Sequence, residues 1–344
     1  MPGQPCQINC QNSGTAPPGE LPVNKHPLAD HVRILARGKH ASRNMTVEEA
    51  EYTMSMFLKG ECEPEQIGAV FMLLRVLEET SDEIAGFAKA INAYWPAGAE
   101  QYDLVWSSYA GKRRQPMWWV LSALLLTQMG YRILVHGTLS HTEGRVYAHE
   151  VFSELGLVSL TKDTLASSDA PLAYLPCSEI HPVLQQWLAL KSVLGVRSPI
   201  NTVLKTIAPA HTPSVQGVFH PNYKAIHAGA AQLNEDHLMV IKGEGGEFEV
   251  NPERKCVATY SLDQELGEIT IPNQKSHFDN KPDSPDSDWL KKVWKDEYTS
   301  DYADEAILAT AALALCAIQK NHDYEKALSE CKSAWQVRDR GLIK

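Results

Sequence analysis

Lys112, Arg113 and Arg114 end a segment, residues 105–114, that reads V-W-S-S-Y-A-G-K-R-R. Three cations directly after the hydroxyls of Ser107, Ser108 and Tyr109 are groups suited to phosphate. The segment follows a short strand-like stretch, 102–105, and precedes an apolar helix over 118–128. A strand, a tight loop and a helix N-terminus form a common phosphate site, because free N–H groups and the helix dipole face the anion. Such loops are usually rich in glycine, so that the backbone can approach its ligand. Here Trp106 and Tyr109 stand where bare backbone is needed, and Gly111 comes late. The position predicts a phosphate site, but the residue types argue against a small phosphorylated substrate gripped by main chain.

A second basic group lies upstream. Arg33 and Arg37 are spaced i, i+4 and share a helix face, and Lys39, His40 and Arg43 follow in the next loop. The plain reading of such a group is a solvated face with cations near a helix C-terminus. Tyr109 offers a ring to an exposed base, although an aromatic beside a strand end more often packs. Trp118 and Trp119 read as core. Arg197 reads as a donor that holds its loop, Arg145 as a surface residue near a helix start, and His136 as a structural histidine.

The elements that must position these residues fall into two groups. Residues 26–37 predict a helix with Leu28, Val32 and Leu35 on one face. Thr46 with Glu49, and Thr80 with Glu83, have capping-box spacing, and Pro64 fits the first turn of a helix over 65–77. This predicts an all-helical unit over 26–96. Beyond it, strands at 103–106 and 132–136 flank a helix, which is βαβ spacing and implies parallel strands. Further helices are predicted at 143–155, 181–194, 221–233, 304–319 and 324–335. Strands are predicted at 173–175, 214–219, 238–242, 247–250, 256–262 and 265–271, the last three alternating as antiparallel strands do, and 273–289 reads as a loop. The fold class is α/β, a helical domain plus a larger domain (97–344) with a mainly parallel sheet. The helix near 181–194 is expected to join the helical unit.

Composition narrows the class of protein. The chain has 344 residues, a formal net charge of −10 and 44% hydrophobic residues, which suits a soluble two-domain protein. No apolar run reaches membrane-spanning length. The first 25 residues are polar and lack a signal-peptide pattern, so a disordered tail is expected. The seven cysteines form no CxxC pair and no disulfide framework; Cys6 and Cys10 lie in the tail, and Cys316 reads as a core thiol. A cytoplasmic location follows. The negative total works against nucleic acid as a partner, but the distribution is uneven: acidic residues crowd 279–305, while basic ones cluster at 33–43 and 112–114.

Several segments carry a resemblance. The stretches T-V-E-E-A-E from Thr46, Gly60-Glu61, Q-I-G-A-V-F-M-L-L-R from Gln66 and E-T-S-D-E-I-A-G from Glu79 are followed in order by Val135-His136-Gly137 and L-G-V-R-S-P-I-N, ending at Asn201. In this order they resemble the anthranilate phosphoribosyltransferase family (glycosyltransferase family 3), over about residues 28–335. The resemblance implies that family's helical and α/β domains. The departures are also specific. The family's Gly-Thr-Gly-Gly-Asp loop, which holds phosphoribosyl pyrophosphate, corresponds to Trp106-Ser107-Ser108-Tyr109-Ala110. The lysine of its Lys-His-Gly is Val135. Its acidic magnesium-binding pair falls at Phe248 and Glu249, beside Glu247, and its tandem arginines appear as Lys191-Ser192. Pyrophosphate departure needs its charge neutralised, so anthranilate phosphoribosyl transfer is not expected and no cofactor is implied. Mg²⁺ belongs only to the alternative, an active phosphoribosyltransferase or nucleoside phosphorylase.

The segments R-G-K-x-x-x-R from Arg37 to Arg43, S-Y-x-G-x-R from Ser108 to Arg113, and V-H-G-T from Val135 resemble a narrower subgroup, the YbiB-like paralogues. That resemblance implies a homodimer that binds DNA or RNA with little sequence preference. The expected nucleic-acid contacts are Arg33, Arg37, Lys39, Arg43, Lys112, Arg113, Arg114 and Lys191, in two clusters flanking one inter-domain cleft. The degenerate phosphate site would comprise Ser107, Ser108, Tyr109, Gly111, His136, Gly137 and Asn201, with Glu247 and Glu249 as a degenerate metal pair.

Overall fold

The computed structural model describes residues 25–38, 40–139 and 142–343. Residues 1–24 of the expected tail, with Cys6 and Cys10, and the candidate Lys39 lie outside the described residues.

Four helices come first: α1 (Leu28–Ala36), α2 (Val47–Lys59), α3 (Pro64–Leu77) and α4 (Ser81–Asn92). Both predicted capping boxes form. The Thr46 side chain accepts from the Glu49 N–H at the start of α2, and Thr80 does the same for Glu83 at the start of α4.

The rest of the chain alternates. It runs β1 (Leu104–Ser108), α5 (Trp118–Gln128), β2 (Ile133–Gly137), α6 (Ala148–Glu154), β3 (Val158–Ser159), α7 (Lys162–Leu165), β4 (Leu172–Pro176), then the short helices α8 (Cys177–Ile180), α9 (Pro182–Ala189), α10 (Lys191–Leu194) and α11 (Ile200–Val203). It continues with β5 (Ser214–Val218), α12 (Tyr223–Leu233), β6 (Leu238–Lys242), β7 (Cys256–Leu262), β8 (Glu265–Ile271), α13 (Asp288–Trp294), α14 (Asp301–Ile318) and α15 (Tyr324–Gln336). The strands form one sheet of order β3-β4-β2-β1-β5-β6-β7-β8. It is parallel from β3 to β6 and antiparallel across β6, β7 and β8. At its two margins lie β3, two exposed residues long, and β8, which carries exposed Glu265 and Glu268.

Strand alternation divides the core between the two faces. Leu104, Trp106, Ile133 and Val135 join α5, α14 and α15 on one side. Val105, Leu134, Ala173 and Leu175 join the helical unit on the other. Helix α5 is apolar all round and buried from Trp118 to Leu126, as a helix lacking a polar stripe must be. Trp187 of α9 meets Phe57 and Phe71 edge-on at 6.3 and 5.7 Å, which packs that later helix onto the first four. Helix α4 lies against α12, where Ser81 Oγ donates to the Ile226 carbonyl at 3.0 Å and Asn234 Nδ2 to the Ala85 carbonyl at 3.0 Å.

Three expected elements differ. The helix over 143–155 begins only at Ala148, because Val146 pairs with Lys112 in an antiparallel bridge. The helix over 181–194 is broken at Leu190 into α9 and α10. The expected strand 247–250 is irregular: Glu247 and Glu249 turn inward to satisfy other loops. Among the described residues no helix is long and apolar enough to cross a membrane. The five described cysteines are free, and Cys316 is buried in α14 with its thiol pushed up to about 12 by desolvation.

Candidate functional site

The loop after β1 decides what the sheet's C-terminal end can bind. Its amides do face an anion, but the anion is internal. The N–H groups of Ala110 and Gly111 both donate to Glu247 Oε1, at 2.7 and 2.8 Å. The N–H of Trp119, in the first turn of α5, donates to Glu249 Oε2 at 3.0 Å. Lys112 Nζ sits 2.5 Å from Glu249 Oε1, and both side chains are buried. The loop cradle and the helix N-terminus, the two places an anion is favoured, are therefore each filled by a glutamate. Desolvation raises the Glu249 pKa, and the adjacent ammonium works in the opposite direction. Phe248, between the two acids, is buried edge-on against Trp106 at 5.3 Å.

This geometry is close-fitting. A Cβ on Gly217 would lie 2.1 Å from the Glu247 carbonyl carbon, and one on Gly243 would lie 1.5 Å from its oxygen. Only glycine lets β5 and the turn after β6 close on Glu247 in this way. Mg²⁺ binding needs carboxylate oxygens open to metal and water. Glu249 is engaged by Lys112 and Trp119, and the spare oxygen of Glu247, Oε2, is buried without a hydrogen-bond partner. The acidic pair does not fit a magnesium site, and the described residues hold no cluster of metal-ligating side chains.

Several candidates are corrected by their surroundings. Lys112 is no surface cation, because its charge is neutralised internally. Tyr109 is buried, and its hydroxyl pairs with His136 Nδ1 at 2.8 Å, so its ring is not free to stack on a base. Ser107 donates to the Val215 carbonyl at 3.3 Å, and Ser108 is buried, so neither hydroxyl faces solvent. Gly137 packs against the Ser108 carbonyl. Gly111 has φ 68°, a left-handed value, where the loop turns under Val146. Arg113 and Arg114 are exposed, but Arg114 lines a depression with Glu244, Glu253, Asp279 and Asp283. Arg33, Arg37 and Arg43 line a separate depression that also holds Asp30 and Glu49. There Arg43 grips Glu49 with both terminal nitrogens at 2.6 Å, holding that carboxyl down to about 2, and Arg33 lies 3.4 Å from Asp30. The two basic clusters therefore do not flank one cleft, and exposed Lys191 does not line the cleft described next.

The cleft lies between the helical unit and the C-terminal ends of the strands and encloses about 160 Å³. Arg75, Arg145, Arg197 and Lys205 line it, together with Phe219, His220 and Tyr223; of the sequence candidates, Asn201 and Tyr109 contribute. Lys205 donates to the carbonyls of Gly217 and Gly246, and Arg145 Nη1 to those of Ala110 and Gly111 at 2.8 and 2.9 Å. No carboxylate forms an ion pair with any of these four cations among the described residues. The one acid in the lining, Glu79, accepts from the Tyr223 hydroxyl at 2.8 Å. Desolvation lowers Lys205 to about 8, with repulsion from Arg197 and Arg145 adding to it and Glu247 opposing. Desolvation and Arg197 also lower Arg145. Arg197, read from sequence as a loop-holding donor, is exposed and makes no such bond among the described residues. Sequence reasoning gave no site role to Arg75, although it ends the quoted segment from Gln66, or to Lys205, and the two are far apart in the chain.

Two buried histidines give the site a pH signature. Desolvation holds His136 and His227 down at about 3, from an ordinary 6.5. Both stay neutral in the folded chain while the unfolded chain takes up protons below about 6.5. Stability contributed by each is complete above that pH and is lost as pH falls toward about 3. Chemical denaturation at about pH 7, 6 and 5 is expected to show a decline approaching roughly 1.4 kcal/mol per pH unit per histidine; His136→Gln should remove one share.

The fold and cleft define a class: a helical bundle on a largely parallel α/β sheet, with its cleft where the two meet. The family model "Glycosyl transferase family, helical bundle domain" matches residues 30–94. YbiB of Escherichia coli (strain K12) is 26% identical over 244 residues, covering 68% of this chain and 76% of that protein. The anthranilate phosphoribosyltransferase of Actinobacillus succinogenes is 27% identical over 247 residues, covering 69% and 73%. The crystal structure of anthranilate phosphoribosyltransferase from Thermus thermophilus superposes with a TM-score of 0.72 at 18% identity, over 89% of this chain and 94% of that one. The chain belongs to glycosyltransferase family 3, as an anthranilate phosphoribosyltransferase-like protein.

Proposed function

We propose that this family member binds DNA or RNA through backbone phosphates, with little sequence preference, and does not transfer phosphoribosyl groups to anthranilate. The observation that carries the reading is the exchange of roles in the cleft. The amides that would grip a diphosphate hold Glu247, while Arg75, Arg145, Arg197 and Lys205 gather in one lining without a paired carboxylate among the described residues. Unpaired cations in a partly enclosed cleft attract polyanions and release condensed counterions when a phosphate arrives. The candidate contacts point to phosphates rather than base edges, which agrees with weak specificity. A homodimer would place two such clefts on one strand and raise avidity without any new contact.

The test is salt dependence. Three to four phosphate contacts to single-stranded DNA give a log–log slope of about −2 to −3, or roughly a 20- to 50-fold loss of affinity between about 50 and 200 mM salt. Arg197→Gln is expected to flatten the slope by about 0.7. Arg37→Ala, in the depression shared with Asp30 and Glu49, should change it less. Fluorescence anisotropy with a labelled oligonucleotide checks both. Salt-independent binding, or tight calorimetric binding of phosphoribosyl pyrophosphate with Mg²⁺, would favour the transferase reading instead.

A further inference from the structure

The cleft lining combines two unlike sets of groups. In one, Arg145, Arg197 and Lys205 converge. Lys205 gives two of its donors to carbonyls, and an ammonium carries three. Arg145 keeps its second terminal nitrogen beyond the two carbonyl contacts of Nη1, and Arg197 is uncommitted among the described residues. In the other, Phe219, just after β5 and beside Gly246, leaves 55% of its surface exposed. Its ring is held edge-on to His220, with centroids 5.1 Å apart, and Tyr223 is fixed by its bond to Glu79. An apolar ring exposed beside a set of cations costs hydration without any gain inside the protein. A ligand with an anionic end and a flat aromatic end satisfies both sets at once.

We propose that the cleft takes one unstacked nucleotide, with its phosphate on Arg145, Arg197 and Lys205 and its base against Phe219. This rests on the nucleic-acid reading above for its source, since the same nucleoside monophosphate unit occurs free or within a strand. In a duplex the base is stacked and paired, and reaching such a ring means unstacking and unpairing it at a cost in free energy. A single strand needs little such opening, and base–aromatic stacking is tolerant of sequence. The cleft therefore selects single strands over duplexes.

The experiment uses the full chain with a single-stranded oligonucleotide carrying one 2-aminopurine, its matched duplex, and adenosine monophosphate as a competitor. Both variants, Phe219→Ala and Arg197→Gln, change exposed side chains, so folding is kept and checked by circular dichroism. The expected result is a change in 2-aminopurine fluorescence on binding. Phe219→Ala should lose roughly 5- to 150-fold in single-strand affinity, with duplex affinity unchanged. Equal binding of both forms, untouched by Phe219→Ala, overturns the proposal and leaves the phosphate-tracking function standing. Binding of adenosine monophosphate that Arg197→Gln abolishes, with no affinity for either polymer, keeps the nucleotide pocket and removes the polymer as its source. Absence of binding in every arm removes both.

Discussion

Lys112→Met is expected to destabilise the protein by about 3–5 kcal/mol. The substitution keeps the length and apolar stem of the side chain but deletes the ammonium that faces Glu249 at 2.5 Å. Glu249 is then a carboxylate shut away from water, with one backbone donor, the Trp119 N–H, as its remaining partner. It must either stay charged without compensation or take up a proton, and each costs free energy. The double variant Lys112→Met/Glu249→Gln should recover most of the loss, because the glutamine carbonyl can still accept from Trp119 and no charge is stranded. Urea denaturation followed by tryptophan fluorescence reads this region, since Trp106 and Trp119 stack 5.2 Å apart beside it. A single-variant cost below about 1 kcal/mol would mean that the pair behaves like an exposed one.

Glu247→Ala should lower stability by on the order of 2–6 kcal/mol, because two N–H groups lose their common acceptor and each unmade buried bond costs roughly 1–3 kcal/mol. The same variant should gain a second place for an anion. With the carboxylate removed, the Ala110 and Gly111 amides again face an unfilled anion position. Inorganic pyrophosphate is expected to raise the melting temperature of the variant by more than that of the native chain, in which only the cleft cations are open to it. Glu247→Gln keeps an acceptor oxygen in place and should lose less stability. Equal thermal shifts in native chain and variant would show that the carboxylate is not standing in for a phosphate group.

The elements were largely legible because their signals are local. Both capping boxes lie within four residues, the strands at 256–262 and 265–271 form with the bounds their alternation gives, and that at 238–242 with the bounds of its apolar run. The site was less legible because its partners are distant. Lys112, Arg113 and Arg114 look equivalent as a basic run, yet the bridge between Lys112 and Val146 extends the backbone and sends Lys112 inward while its neighbours face out. Its partner is 137 residues away, and Tyr109 finds His136 across 27. Nothing near Lys112 in sequence marks it for burial, and lysine is seldom buried without a pair. The cleft cations come from α3, the extended stretch before α6, the loop before α11 and the turn after α11, so only the folded chain assembles them. The predicted helix over 143–155 failed for a related reason: a long-range bridge at Val146 outweighed local helical preference.

The two margins of the sheet constrain how copies of this protein can meet. One ends in a two-residue strand, and the other shows Glu265 and Glu268 to solvent. A neighbour pairing there would find few free ladder groups on the first and like charges facing each other on the second. Strand-to-strand growth into fibrils or continuous sheets is thus opposed at both borders.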